Sequence, residues 1–404
     1  MSADDQLVSY FETFIKNKPL FLNKKSLQSD FTPDKIEHRE ECINSLAEIL
    51  APSLRFEKPS NIFIYGKTGT GKTLTVNYTL NRINKVAEHK NIPILAIYVN
   101  CRLKKVADTE YRLIAEIVSK LGKDLPSTGL PTSDIYKEFF SIVDQSKRIV
   151  IIVLDEVDQL VEKSGNEVLY SLTRINSELK NAQISFIGIS NDILFVDALD
   201  SRVKSSLSEE EILFNPYNAS QLKDILESRS KIAFNEGVIS QGVIAKCAAY
   251  AAREHGDARR ALELLRVSAE IAERKNLNKV HMEHVDEAEQ KIEKDRIIDA
   301  LENHPKQFHT VLYSIFSLYN EKRDYIHTGE VYDLYKEICH KSNSRPLTQR
   351  RVSDIIGEYD ILGIIAAKTI SKGRYGRTRE ILLSLPESLK QKIEVMLKNK
   401  LGMQ

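Results

Sequence analysis

From Asn61 to Phe214, short β-branched runs alternate with stretches whose apolar positions recur every three or four residues. The runs 61–65, 93–99, 149–154, 184–189 and 211–214 predict strands. Their nearly unbroken apolar character predicts burial on both faces, as in a parallel sheet. Between them Val76, Leu80, Ile83 and Val168, Leu172, Ile175, Leu179 keep the i, i+4, i+7 spacing of one helix face. This half is α/β. After Pro216 the strand pattern stops, and segments rich in Ala, Glu, Leu, Lys and Arg run to about Arg296, which predicts a small all-helical lid. From about Lys294, three helical stretches precede the run 364–370, the basic loop SKGRYGR and the run 378–383. Helices followed by a basic hairpin predict a winged helix.

At 404 residues the chain has room for two or three domains. A net charge of +1 creates no global field, so a nucleic-acid partner must be met by a local cluster. Cys42, Cys101, Cys247 and Cys339 lie far apart without a CxxC pair. That spacing suggests neither a disulfide framework nor a zinc knuckle and fits a reducing cytosol. The N-terminus is charged where a signal peptide needs an apolar core, and the longest apolar run, 149–154, is too short to span a bilayer. A soluble cytoplasmic protein with no membrane partner is expected.

The first chemical signal is GKTGTGKT, residues 66–73, after a predicted strand and before a predicted helix. Gly66, Lys67, Thr68, Gly69, Thr70, Gly71, Lys72 and Thr73 satisfy GxxxxGK[ST], in which glycines turn backbone N–H groups toward phosphates. Lys72 would reach the β- and γ-phosphates, and Thr73 would ligand Mg²⁺. The apolar run 149–154 ends in Asp155 and Glu156, two carboxylates held rigidly at a strand end. Asp155 would bind Mg²⁺ through water, and Glu156 would polarise the attacking water. The run 184–189 leads to Asn191, which would hold that water or sense the γ-phosphate, and Gly256–Leu262 places Arg259 and Arg260 at a helix start in the lid.

At the other end, Thr348 precedes a helix with the apolar stripe Val352, Ile355, Ile356 and Tyr359, and Gly363 stands where a left-handed stop would follow. Arg350, Arg351 and Ser353 lie on the early turns of that helix, suited to a major groove. The hairpin carries Lys372, Arg374, Tyr375, Arg377 and Arg379 at its tip, with glycines at 373 and 376 allowing close approach to DNA.

In this order the elements resemble the AAA+ ATPases. The stretches FTPDKIEHREE (31–41), YGKTGTGKT, LDEVDQL, LDSRVKSSL, FNPYNASQLKDIL, GDARRALELLR and SKGRYGRTREILL are similar to the archaeal replication initiators related to the eukaryotic origin recognition complex and its helicase-loading partner. The resemblance runs from about residue 30 to the end. It implies an AAA+ P-loop parallel-sheet core, an all-helical lid and a C-terminal winged-helix domain, here an extension 1–30, a core 31–215, a lid 216–293 and a winged helix 294–404. It also implies ATP or ADP with Mg²⁺, Asn191 as sensor 1, Arg259 as sensor 2, and an adenine pocket at Ile36, Arg39 and Tyr217. Relatives carry a trans-acting arginine where this chain has Ser205-Ser206, and Arg202 is the nearest substitute. The family's helical insertion that touches DNA would fall between Leu121 and Phe140.

The function so implied is an ATP-regulated initiator of chromosome replication, hydrolysing ATP slowly as a switch. Its expected partners are double-stranded origin DNA, the replicative helicase and paralogous initiator subunits. A nucleotide-bound repressor and a clamp-loader-like ATPase are the alternatives.

Overall fold

In the computed structural model, five parallel strands form one sheet: β1 Asn61–Tyr65, β2 Ile94–Asn100, β3 Ile149–Asp155, β4 Gln183–Ser190 and β5 Glu209–Leu213. The description covers residues 11, 18–29, 31–102, 109–126, 129, 131–195, 197–207, 209–322, 325–371 and 377–402. The sheet order is β2-β3-β4-β1-β5. On β3, Val150, Ile152 and Leu154 enter one core while Ile149, Ile151 and Val153 enter the core on the opposite face. Two buried faces explain why the strand reads as a continuous apolar run and not as an alternation. The edge strand β5 exposes Glu210 and Glu211, charges that discourage further strand pairing.

Register decides where the chemistry collects. Asn100 pairs with Asp155, Asp155 with Ile189, and Tyr65 with Ser190. Four strands therefore finish nearly level at their carboxyl ends. The loops that follow β1, β3 and β4 emerge side by side, where open α/β sheets bind ligands.

The chain divides into two units, Met1–Val285 and Asp286–Gln404. The first contains the sheet and the lid helices Ala219–Ala233, Val243–Arg253 and Ala258–Arg274. Asn218 and Gln221 form a capping box on the first of these, and Asp257 accepts from Arg259 N and Arg260 N to cap the third. The segment 18–29, part of the expected N-terminal extension, packs on the lid, with Leu20 and Leu27 buried. Between Leu121 and Phe140, the helix Thr132–Val143 buries Ile135, Phe139 and Val143 in the core.

The second unit packs the helices Lys306–Lys322, Thr328–Lys341, Gln349–Ile361 and Glu387–Leu401 against the strands β6 Ile326–His327, β7 Ile365–Ser371 and β8 Arg377–Leu383. The antiparallel order is β6-β8-β7. Val352, Ile355, Ile356 and Tyr359 are all fully buried, so the predicted stripe is the core face of its helix. Gly363 takes φ +70°, and Ile364 N donates back to Tyr359 O, which closes the helix end. Among the described residues no helix is long and apolar enough to cross a membrane.

Candidate functional site

Leaving β1, the chain turns at Gly66, where an added Cβ would lie 2.4 Å from the Phe214 carbonyl oxygen. The helix Lys72–Lys90 starts immediately after the loop. Lys72 is only 6% exposed, and its Nζ donates to Gly66 O at 2.6 Å, Lys67 O at 2.8 Å and Asn191 Oδ1 at 2.9 Å. Burial pushes its pKa down from 10.5 to about 8, with Asp155 pulling it back up and Arg259 adding to the fall.

That shift gives a signed expectation. Phosphate oxygens around Lys72 favour its charged form and return its pKa toward the ordinary range. Between about 8 and 10.5, anion binding then takes up a proton, and affinity falls as pH rises through this window. Calorimetry of ADP binding, run within this window in buffers of different ionisation heat, should show the uptake in the wild type and not in Lys72→Arg. Equal heats of protonation in both would dissociate Lys72 from the ligand.

Opposite the lysine, Asp155 ends β3 and is almost fully buried. Its Oδ2 accepts from Thr73 Oγ1 at 2.8 Å and from Tyr98 OH at 2.6 Å, and its Oδ1 accepts from Glu156 N at 2.9 Å. A hydroxyl and a carboxylate this close, with only oxygen donors, suit a small hard cation such as Mg²⁺. Tyr98 is a participant that sequence reasoning missed. Its signal is a polar-tipped aromatic near the carboxyl end of an otherwise aliphatic strand, and burial together with Asp155 raises its phenol pKa. Glu156 has φ +55°, a left-handed conformation costing about 1–2 kcal/mol for a residue with a Cβ. Arg102 Nη1 lies 3.6 Å from Glu156 Oε2.

These groups share a cavity of about 520 Å³. Thr68, Gly69, Thr70, Gly71, Lys72 and Thr73 form one wall, with Asp155, Glu156 and Asn191 beside them. Ile36, Tyr217 and the lid residue Arg259 also line it. Lid and loop also touch directly: Ala258 N donates to Gly69 O at 3.1 Å, and a Cβ on Gly69, at φ +70°, would lie 1.7 Å from Asp257 Oδ1. Only glycine fits there.

Three of the expected cofactor-binding residues are placed differently: Gly66 and Lys67 offer their carbonyls to Lys72 and do not line the cavity, and Arg39 stands behind it. Arg39 does not line the cavity: its buried guanidinium donates to Thr70 O at 2.9 Å, Asn215 O at 2.6 Å and His38 O at 3.1 Å, and stacks 3.8 Å over Tyr217. It braces the phosphate loop from behind, because the buried Thr70 carbonyl must be paired and a planar fork can reach several acceptors at once. Arg202, the candidate trans-acting arginine, lies outside the chain's own cavity, where a residue that acts on a neighbouring subunit belongs. It is bound by Asp200 at 3.1 Å and lies 3.8 Å from Glu167.

In the second unit, Arg350 is exposed and Ser353 half-buried. Arg351 is half-exposed, 3.7 Å from Glu358 and 5.7 Å over the Phe308 ring. Lys372, Arg374 and Tyr375 lie outside the described residues, and Arg377 begins β8 opposite Ser371. Arg379 is not at the hairpin tip. It pairs with Thr369 on β7, and its Nη1 donates to Ser353 O at 3.1 Å, which ties the wing strand to the helix.

Family models match this chain in three places: an AAA domain over residues 55–194, a Cdc6 AAA+ ATPase-type lid domain over 223–290 and a CDC6 C-terminal winged helix domain over 299–392. An ORC1-type DNA replication protein of Pyrococcus abyssi is 52% identical over 392 residues, covering 95% of this chain and 93% of that one. The chain belongs to the ORC1-type DNA replication proteins. The ORC1-type protein of Thermococcus onnurineus is 51% identical over 386 residues, covering 95% of this chain and 92% of its own length. Among solved structures, the ORC1 protein of Aeropyrum pernix in complex with DNA aligns with a TM-score of 0.81 at 44% identity, covering 94% of this chain and 97% of that one. This ORC1-type chain is thus a replication initiator with an AAA+ ATPase core, a helical lid and a winged helix.

Proposed function

We propose that this initiator binds ATP and Mg²⁺ in the cavity at the carboxyl ends of β1, β3 and β4, and that nucleotide state governs its hold on double-stranded origin DNA. The supporting observation is convergence: Lys72, the Thr73–Asp155 pair, Glu156, Asn191 and the lid residue Arg259 line one cavity although they come from four separate segments. Lys72 and the loop amides would hold the phosphates, and Thr73 and Asp155 the metal, whose charge would neutralise the transferring phosphoryl group. Glu156 would orient and deprotonate the attacking water, with Asn191 beside it. Ile36 and Tyr217 lie along the wall where a nucleoside would rest.

ATP serves here as a slow switch. A ligand shifts a conformational equilibrium only through differential affinity, and Arg259 on the lid supplies a group that the γ-phosphate can attract. Arg202, engaged by Asp200, is not offered to the chain's own cavity, which accords with slow turnover in the isolated chain. The protein works in the cytoplasm on the nucleoid, with paralogous subunits and the replicative helicase as its partners. Footprinting of origin DNA with ATP, with ADP and without nucleotide tests the reading. Nucleotide-dependent protection of the origin is expected, and identical footprints in all three would refute ATP regulation.

The two DNA elements should fail differently. Arg374→Ala with Arg377→Ala is expected to weaken origin and random duplex alike, and to flatten the log–log salt slope by up to ~0.9 for each phosphate that the variant no longer neutralises. Arg350→Ala, on the exposed start of the helix, is expected to relax sequence preference, by about 1–3 kcal/mol for a bidentate base contact. Salt titration of origin and scrambled DNA checks both; unchanged slopes and preferences would reduce these arginines to a solvated face.

A further inference from the structure

The segment 18–29 precedes the AAA domain match and lies outside every matched family model, yet its long-range bonds follow one rule. Leu22 N and Asn23 N donate to Ala233 O at 2.7 and 3.1 Å, and Asn235 Nδ2 donates to Pro19 O at 3.0 Å. Phe21 packs on Phe234 with ring centroids 5.1 Å apart, and Lys24 Nζ lies 2.9 Å from Glu270 Oε1. Each of these partners belongs to the lid, and none to the five-stranded core.

Arg229 extends the attachment. It is 6% exposed, donates from Nη1 to Ser26 O at 3.3 Å and from Nη2 to Phe31 O at 3.2 Å, and lies 4.7 Å over the Phe31 ring. Just here the segment and the residues that follow it become a wall of the cavity: Gln28, and beyond it Phe31, Pro33 and Ile36, line it together with Ile225 and Leu262 of the lid. The phosphate loop, Asp155 and Glu156, by contrast, are carried by the core. One cavity therefore has two owners.

We propose that Arg229 is a positioning residue that makes the N-terminal segment mechanically part of the lid, so that the nucleobase end of the cavity is formed by lid and segment together while the phosphate end stays with the core. This rests on the nucleotide-site reading above. When the lid moves, the wall against the base moves with it, and nucleotide exchange proceeds by removal of the base wall with the phosphate cradle intact. A guanidinium is suited to the role because one rigid fork reaches two carbonyls and its face covers an aromatic ring. Arg229→Met keeps the apolar stem and removes the fork.

The test separates base from phosphate. In Arg229→Met, dissociation of ADP, followed by stopped-flow with a fluorophore on the ribose, should accelerate by at least about tenfold, the loss expected for one charge-assisted hydrogen bond. Pyrophosphate affinity, measured by calorimetry, should be unchanged. Lys24→Glu, remote from the cavity and placed to repel Glu270, should accelerate ADP release by about two- to fivefold with pyrophosphate again unaffected, and it supplies the readout if Arg229→Met does not fold. Unchanged ADP release in the folded variants overturns the proposal, as does a parallel loss of pyrophosphate affinity, which would mark a general weakening of the lid. Wild-type protein that binds pyrophosphate but does not discriminate ADP from it refutes the base wall alone; binding of neither refutes the nucleotide site itself.

Discussion

Glu156→Gln is expected to lower single-turnover ATP hydrolysis by about 10²- to 10⁴-fold while ATP affinity is retained, the range that removal of a positioned general base produces. The substitution is isosteric and takes away the basic oxygen together with the charge that faces Arg102. Asp155, the residue suited to the metal, keeps its bonds to Thr73 and Tyr98, and the backbone N–H of residue 156 still donates to Asp155 Oδ1. The strained left-handed turn at φ +55° aims this side chain at the cavity and is indifferent to the change of amide for carboxylate. Rapid-quench hydrolysis alongside calorimetry measures both quantities. Wild-type turnover in the variant would remove Glu156 from the chemistry.

Lys72→Ala is expected to reduce ADP and ATP affinity by two orders of magnitude or more, since charge-assisted hydrogen bonds contribute about 1.5–3 kcal/mol each and this ammonium can reach more than one phosphate oxygen. The fold should survive. Lys72 is a buried cation whose lowered pKa shows that the folded state disfavours its charge, so its removal relieves a desolvation cost even as it frees the Gly66 and Lys67 carbonyls. Calorimetry with circular dichroism as a control decides the matter: an unchanged ADP affinity would overturn the role of the loop.

Much of the site is legible in the sequence because its signals are local. GKTGTGKT lies within eight consecutive residues, and Asp155-Glu156 follows a β-branched apolar run of strand length, which the structure buries on both faces. The winged helix announces itself through the stripe Val352, Ile355, Ile356 and Tyr359 and through Gly363. Other residues are misread for an equally physical reason. The motif 31–41 puts Arg39 near Ile36 along the chain, but its guanidinium meets the carbonyls of Thr70 and Asn215, and the first of these is buried and needs a donor. Arg379 looks like one more cation of a basic hairpin, until the pairing of β7 with β8 sets it beside Ser353.

By itself the sequence determined the α/β core, the order of core, lid and winged helix, and most of the polar residues that meet in the cavity, because periodicity and glycine spacing act over a few residues. Tertiary structure alone decided that Tyr98 completes the bonding of Asp155, that Asp257 sits against Gly69, and that the segment 18–29 is joined to the lid through Arg229. Those contacts join residues dozens to some two hundred positions apart. Which partner satisfies a buried carboxylate or carbonyl at such a separation depends on strand register and helix packing, which no local pattern records.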